Sequence, residues 1–67
     1  MNSLGDALPA EMIRVREILW HYKEIGVAGV LGAAMIEKSL HNADKAVISG
    51  DVSEMVVAYK DLQEITG

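Results

Sequence analysis

Hydrophobic residues recur every three or four positions along most of the chain, which is typical of amphipathic helices. Over residues 9–25 they form one face, which consists of Met12, Val15, Ile18, Leu19, Tyr22 and Ile25. Pro9 suits a first helical turn, where its missing N–H needs no partner, and Asp6 can help to cap that end. Gly26 is a suitable left-handed residue after the helix. The pattern predicts a helix over 9–25 that follows a flexible N-terminal arm over 1–8.

Two more helices are predicted in the remainder of the chain. The face of the second, over 28–49, consists of Gly29, Gly32, Ala33, Ile36, Leu40, Ala43 and Val47. Gly50 ends it, and Asp51 with Glu54 forms a capping-box pattern that begins the third helix, over 52–65. The face of the third helix consists of Val52, Met55, Val56, Tyr59 and Leu62. Because the turn at 49–51 is so short, we expect these two helices to form an antiparallel hairpin.

The sequence therefore predicts an all-α fold, with a small three-helix domain over residues 9–67. One alternative is a single bent helix of about 40 residues, because the apolar faces of 9–25 and 28–49 are offset by only about 50°. Gly26, Gly29 and Gly32 favour a break, since each costs about 1 kcal/mol relative to Ala inside a helix. The same glycines either let the second helix pack closely on the first or belong to a loop.

The small size of the chain predicts association. It has 67 residues and no cysteine, so disulfides and thiolate zinc sites cannot stabilise it. Burial of apolar surface stabilises a chain of this size by about 95 kcal/mol. Ordering the chain costs about 100 kcal/mol. Because the two terms cancel, we expect oligomerisation to supply the missing stability.

Several hydrophobic residues lie outside the predicted core faces and are candidates for that interface. Ile13 and Trp20 lie opposite the main face of the first helix, and a second group consists of Val27, Val30, Leu31, Ala34 and Met35. A contiguous exposed patch that contains Trp is typical of partner surfaces. The sequence thus predicts a homodimer or higher oligomer. The alternatives are that the two groups bury each other within one chain, or that another protein or a lipid surface covers them.

Charge and hydropathy restrict the classes of partner. The formal net charge of −4 argues against nucleic acid, whose phosphates require clustered Lys and Arg. The longest uncharged run, residues 25–36, spans about 18 Å as a helix and is too short to cross a bilayer. No basic residue precedes an apolar stretch as in a signal peptide, so we expect a cytoplasmic protein. A peripheral membrane-interface binder that uses the 27–35 patch is an alternative, disfavoured because anionic lipid repels an acidic chain.

Candidate chemistry is limited to two similar patterns. Glu17, His21 and Glu24 lie on one helix face, and the second pattern repeats the spacing with Glu37, His41 and Asp44. Such spacing is compatible with metal ligation, so a metal-binding oligomer is a further alternative. Both sets lie on polar faces, where solvated pairs explain them, and the chain has no nucleophile elbow or phosphate-binding loop. We therefore expect no enzyme activity, cofactor or metal, but an adaptor, regulator or structural subunit that acts through protein–protein contacts.

Overall fold

The computed structural model describes residues 3–66 and has the predicted all-α fold of three packed helices. Helix α1 covers Leu4–Ile25, α2 covers Val30–Ser49 and α3 covers Val52–Gln63. A short 3₁₀ turn, Gly26–Gly29, separates α1 from α2, so the alternative of one bent helix is wrong. Met1 and Asn2 of the predicted arm, and Gly67 of the predicted domain, lie outside the described residues.

Helix α1 begins five residues earlier than predicted. The backbone carbonyl of Ser3 accepts hydrogen bonds from the amides of Asp6 and Ala7, at 3.0 and 2.8 Å. Asp6 does not cap the helix through its side chain but accepts a hydrogen bond from the Ser3 hydroxyl at 3.1 Å. Leu8 is completely buried. Packing of Leu8 therefore holds residues 4–8 in a helix, and the prediction of an arm there is wrong.

Pro9 accordingly lies inside α1 rather than in its first turn. A proline at this position cannot donate the hydrogen bond that the Gly5 carbonyl would otherwise accept. Pro9 itself is exposed, so the interruption faces solvent. Leu8, the residue before Pro9, is buried in the core and helps to hold this turn in place.

The joint between α1 and α2 depends on glycine. Gly26 adopts φ +83° and ψ −137°, a conformation that is unfavourable for any side chain, and its amide bonds back to the Lys23 carbonyl. A Cβ atom on Gly29 would collide with the backbone carbonyl of Tyr22, and one on Gly32 would lie 2.5 Å from the Tyr22 ring. The start of α2 therefore packs directly on the last turns of α1, as the sequence interpretation allowed.

The core lies between the three helices and, among residues 3–66, contains eleven buried hydrophobic residues: Leu8, Met12, Val15, Ile18, Ala33, Ile36, Leu40, Ala43, Ala46, Ala58 and Leu62. Leu19, Tyr22, Met55, Tyr59 and Ile65 are partly buried against them. Four of the eleven are alanines, which let the helices approach closely but add little apolar area.

The predicted faces were wrong at four positions, where the exposed residues are Ile25, Val47, Val52 and Val56. Ala46 is buried where Val47 was expected, and Ala58 is buried where Val52 and Val56 were expected. The hydrophobicity pattern favoured the larger side chains, but close packing of helices selects the smaller ones.

The turn between α2 and α3 has a hydrogen-bonded cap. Gly50 is left-handed (φ +70°), and the Asp51 carboxylate accepts the Glu54 amide at 3.1 Å. The reciprocal half of the capping box differs from the prediction, because the Asp51 amide donates to the Ser49 hydroxyl oxygen at 3.2 Å instead of to Glu54. The Glu54 carboxylate lies 2.7 Å from the Ser49 hydroxyl.

Candidate functional site

The seven residues predicted to form an interface are all exposed. Trp20 is 68% exposed, Ile13 60% and Val27 92%. Val30, Leu31 and Met35 expose more than half of their surface, and Ala34 is also exposed. The interpretation in which the two groups bury each other within one chain is therefore wrong. We call Ile13 and Trp20 the α1 patch, and Val27, Val30, Leu31, Ala34 and Met35 the α2 stripe.

The α1 patch lies between two rows of charge. Successive helical residues are turned by about 100°, which places Arg16 and Lys23 on one side of the patch and Glu17 and Glu24 on the other. Arg16 contacts Asp44 of α2 at 3.6 Å, and Lys23 contacts Glu37 of α2 at 3.7 Å. The basic row therefore faces α2, and the acidic row forms the edge of α1 away from α2.

The α2 stripe lies on the exposed side of α2 and winds around that helix, from the side next to α1 at Val30 to the side away from α1 at Met35. Val30 lies on the side next to α1, whereas Met35 borders a cleft of about 430 Å³ together with Glu64 and Thr66 beyond the end of α3. A flat partner that covers the α1 patch can therefore reach Val30 and Ala34 more easily than Met35. The seven residues form two adjoining surfaces.

Exposed hydrophobic residues also occur where the sequence interpretation named no interface. Ile48 at the end of α2 is 84% exposed, and Val57 of α3 is 68% exposed. Val57 borders a groove of about 640 Å³ between the end of α2 and the start of α3. Periodicity grouped Ile48 with neither face, so the hydrophobic pattern did not select it.

The two Glu/His patterns do not converge on a metal site. Within residues 3–66, no three His, Asp or Glu side chains are placed to hold a metal ion. Glu37 and Asp44 instead form the ion pairs with α1, at half-exposed positions. The acidic members of the second pattern therefore connect two helices.

Arg14 makes an extensive polar contact that no local pattern in the sequence indicated. Its guanidinium bonds both oxygens of Glu11, at 3.0 and 2.8 Å. It also donates to the backbone carbonyls of Leu62 and Ile65, at 2.9 and 3.0 Å. The carbonyls at the end of a helix carry partial negative charge and can accept further hydrogen bonds, so a cation bound there is stabilising. Arg14 thus attaches the end of α3 to α1.

This contact changes the ionisation of both side chains. The hydrogen bond from Arg14 lowers the pKa of Glu11 below its ordinary value, although partial burial opposes the change. The same bond raises the pKa of Arg14. Both groups are therefore charged near neutral pH, and the contact is structural.

Comparison with known proteins identifies no relative. No family model matches the chain, and no curated protein or solved structure is significantly similar to it. None of the described helices is both long and apolar enough to cross a bilayer. The exposed apolar surface is therefore the feature from which a function can be argued.

Proposed function

We propose that this chain is a non-enzymatic helical protein that self-associates as a homodimer and acts through protein contacts, as an adaptor, a regulator or a structural subunit. The observation that carries the proposal is the exposure of the α1 patch next to the α2 stripe. Trp is enriched at the energetic centre of interfaces, and Trp20 lies on the outer face of α1, with 68% of its surface exposed.

The accessible area also supports association. Monomers of this mass expose about 4,200 Å², whereas this chain exposes 4,695 Å². Its extents of 37 × 22 × 16 Å describe an elongated body, and an elongated body has a large surface for its volume. A standard interface removes about 800 Å² from each partner. One elongated side of this molecule is enough to supply that area.

Sedimentation equilibrium on the wild-type chain tests the proposal. We expect a mass of twice 7.3 kDa at tens of micromolar, a concentration at which a dimer with a dissociation constant of about 1 μM is mostly associated. A mass of 7.3 kDa throughout that range would contradict self-association.

Trp20→Ala and Val57→Ala form a matched pair for locating the interface, since both wild-type side chains are 68% exposed. Trp20→Ala should weaken association by about tenfold or more, the effect of removing an interface anchor, and Val57→Ala should leave it unchanged. Equal effects of the two substitutions would exclude the α1 patch as the centre of the interface.

A further inference from the structure

Four adjacent pairs of oppositely charged residues repeat along α1 and α2 at a spacing of seven. They lie at 16–17 and 23–24 on α1, and at 37–38 and 44–45 on α2. Residues seven apart project from nearly the same side of a helix. The repeat therefore creates two equivalent layers of charge along this side of the molecule.

Each charged pair has an inner and an outer member. The inner members, Arg16, Lys23, Glu37 and Asp44, form the two ion pairs between α1 and α2. The outer members are Glu17, Glu24, Lys38 and Lys45. They are exposed and form no ion pair within residues 3–66. The ion pairs between the helices thus leave an acidic edge on α1 and a basic edge on α2.

The residues between the inner and outer rows are apolar or aromatic. On α1 this middle strip is the α1 patch. On α2, about 100° per residue places His41 and Ile48 in the corresponding strip, together with Val30 and Ala34. From the edge of α1 to the edge of α2, the face therefore consists of an acidic strip, a hydrophobic strip, the ion pairs, a largely hydrophobic strip that contains His41, and a basic strip.

From this order we infer that the face formed by α1 and α2 binds the same face of a second copy, about a two-fold axis parallel to these helices. The inference rests on the proposed self-association and specifies its geometry. The axis places α1 of each copy over α2 of the other, so the acidic edge of one copy meets the basic edge of its partner. Such an isologous contact closes as a dimer.

The levels of the side chains match along the helices. Glu24 and Lys38 each directly follow one member of the Lys23–Glu37 ion pair. Rotation about an axis parallel to the helices does not change the position of a residue along them. Glu24 of one copy and Lys38 of the other therefore lie within about 3 Å of each other along the helix axes. Glu17 and Lys45 are related to the Arg16–Asp44 ion pair in the same way. Both edges therefore pair in two successive layers.

The side chains of the two middle strips lie at matching levels as well. Trp20 lies three residues before Lys23, and His41 four residues after Glu37, so Trp20 of one copy is level with His41 of the other. The same step relates Ile13 to Ile48 through the Arg16–Asp44 pair. The arrangement thus covers Ile48, which is 84% exposed in the single chain. Met35 lies on the side towards α3 and stays outside this contact.

The alternative axis, perpendicular to the helices, is disfavoured by charge. It would place α1 over α1 and α2 over α2, so the acidic edges would meet each other and the basic edges would meet each other. Like charges in contact oppose association and select against the wrong partner. In the parallel arrangement, each ion pair between α1 and α2 faces the same ion pair of the second copy. The basic residue of one copy then lies opposite the acidic residue of the other.

Charge exchange tests this geometry. One variant carries Lys38→Glu and Lys45→Glu, and the other carries Glu17→Lys and Glu24→Lys. Each variant alone presents two edges of the same sign, so we expect its self-association to be weaker by about tenfold or more, from several exposed pairs that become repulsive. An equimolar mixture restores opposite charges at every edge, and sedimentation equilibrium should again give the dimer mass.

The control is Lys60→Glu on α3, compared with Lys38→Glu alone. Both single changes alter the net charge equally, and only Lys38→Glu should weaken the dimer. Circular dichroism checks that every variant keeps its helices. The pairing would be overturned, with self-association intact, if the wild type is a dimer and both double variants dimerise as strongly as it does. A mixture no heavier than its components would overturn it as well. A monomeric wild type would instead contradict the proposed function itself.

Discussion

At the scale of single residues, Arg14 links the beginning and the end of the chain. Two of its hydrogen bonds reach carbonyls 48 and 51 residues away. Arg14→Ala should therefore reduce the free energy of unfolding by about 1–2 kcal/mol, since it leaves several charge-assisted bonds unmade. Lys60→Ala is the control, because Lys60 is exposed on α3 and forms no ion pair within residues 3–66, and such surface substitutions change stability by under about 0.5 kcal/mol. Urea unfolding of the two variants gives the comparison, and a larger effect of Lys60→Ala would contradict it.

The lowered pKa of Glu11 predicts how this contact responds to acid. A carboxylate whose pKa is lower when folded stabilises the protein above its ordinary value of 4.5, and the stabilisation is lost as the pH falls through the folded pKa. The stability of the wild type should therefore fall more steeply below about pH 4.5 than that of Glu11→Gln. Urea midpoints at pH 7 and pH 3 measure the difference. Equal losses in both proteins would show that Glu11 makes no such contribution.

At the scale of elements, the joint between α1 and α2 has no room for a side chain at Gly29, whereas the first turn of α1 has room for one at Gly5. Gly29→Ala would force a Cβ against the backbone of Tyr22, and overpacking of this kind costs about 1–3 kcal/mol. Gly5→Ala is the control, because a Cβ there meets only the Ser3 side chain, at 3.6 Å. It should raise stability by up to about 1 kcal/mol through its helix propensity. Thermal midpoints of the two variants measure these effects. A change in the same direction for both would contradict this interpretation.

Much of the helical architecture could be predicted from the sequence, because periodicity, glycine and capping residues are local signals. The ends at Gly26 and Gly50 and the cap at Asp51 were of this kind. The start of α1 was not, since Leu8 is helical through burial against distant residues and Pro9 is a misleading local signal. The choice of Ala46 over Val47 likewise depends on how closely α2 approaches its neighbours.

At the scale of the whole molecule, self-association predicts that heat stability depends on concentration. A dimer that forms only from folded chains shifts the folding equilibrium by mass action. The thermal midpoint should therefore rise over about a hundredfold increase in protein concentration, by several degrees for a domain of this size. The shift should be much smaller for Trp20→Ala. A constant wild-type midpoint would contradict a dimer that contributes to stability.

The exposed surface could be predicted only in part from the sequence. Hydrophobic residues opposite the core face identified Ile13 and Trp20, because that inference needs one helix alone. Ile48 and the charged edges of α1 and α2 required knowledge of which side of each helix faces its neighbour. The contact of Arg14 with the end of α3 required the tertiary arrangement, since no local pattern connects residues so far apart.

Pro9 has a consequence for local motion. The turn that precedes it is joined to the rest of α1 by one backbone bond fewer, and Leu8 is its main anchor. This turn is able to detach without unwinding the helix behind it. We expect its amides to exchange with deuterium faster than those near Val15, because this first turn opens locally while the rest of α1 stays folded.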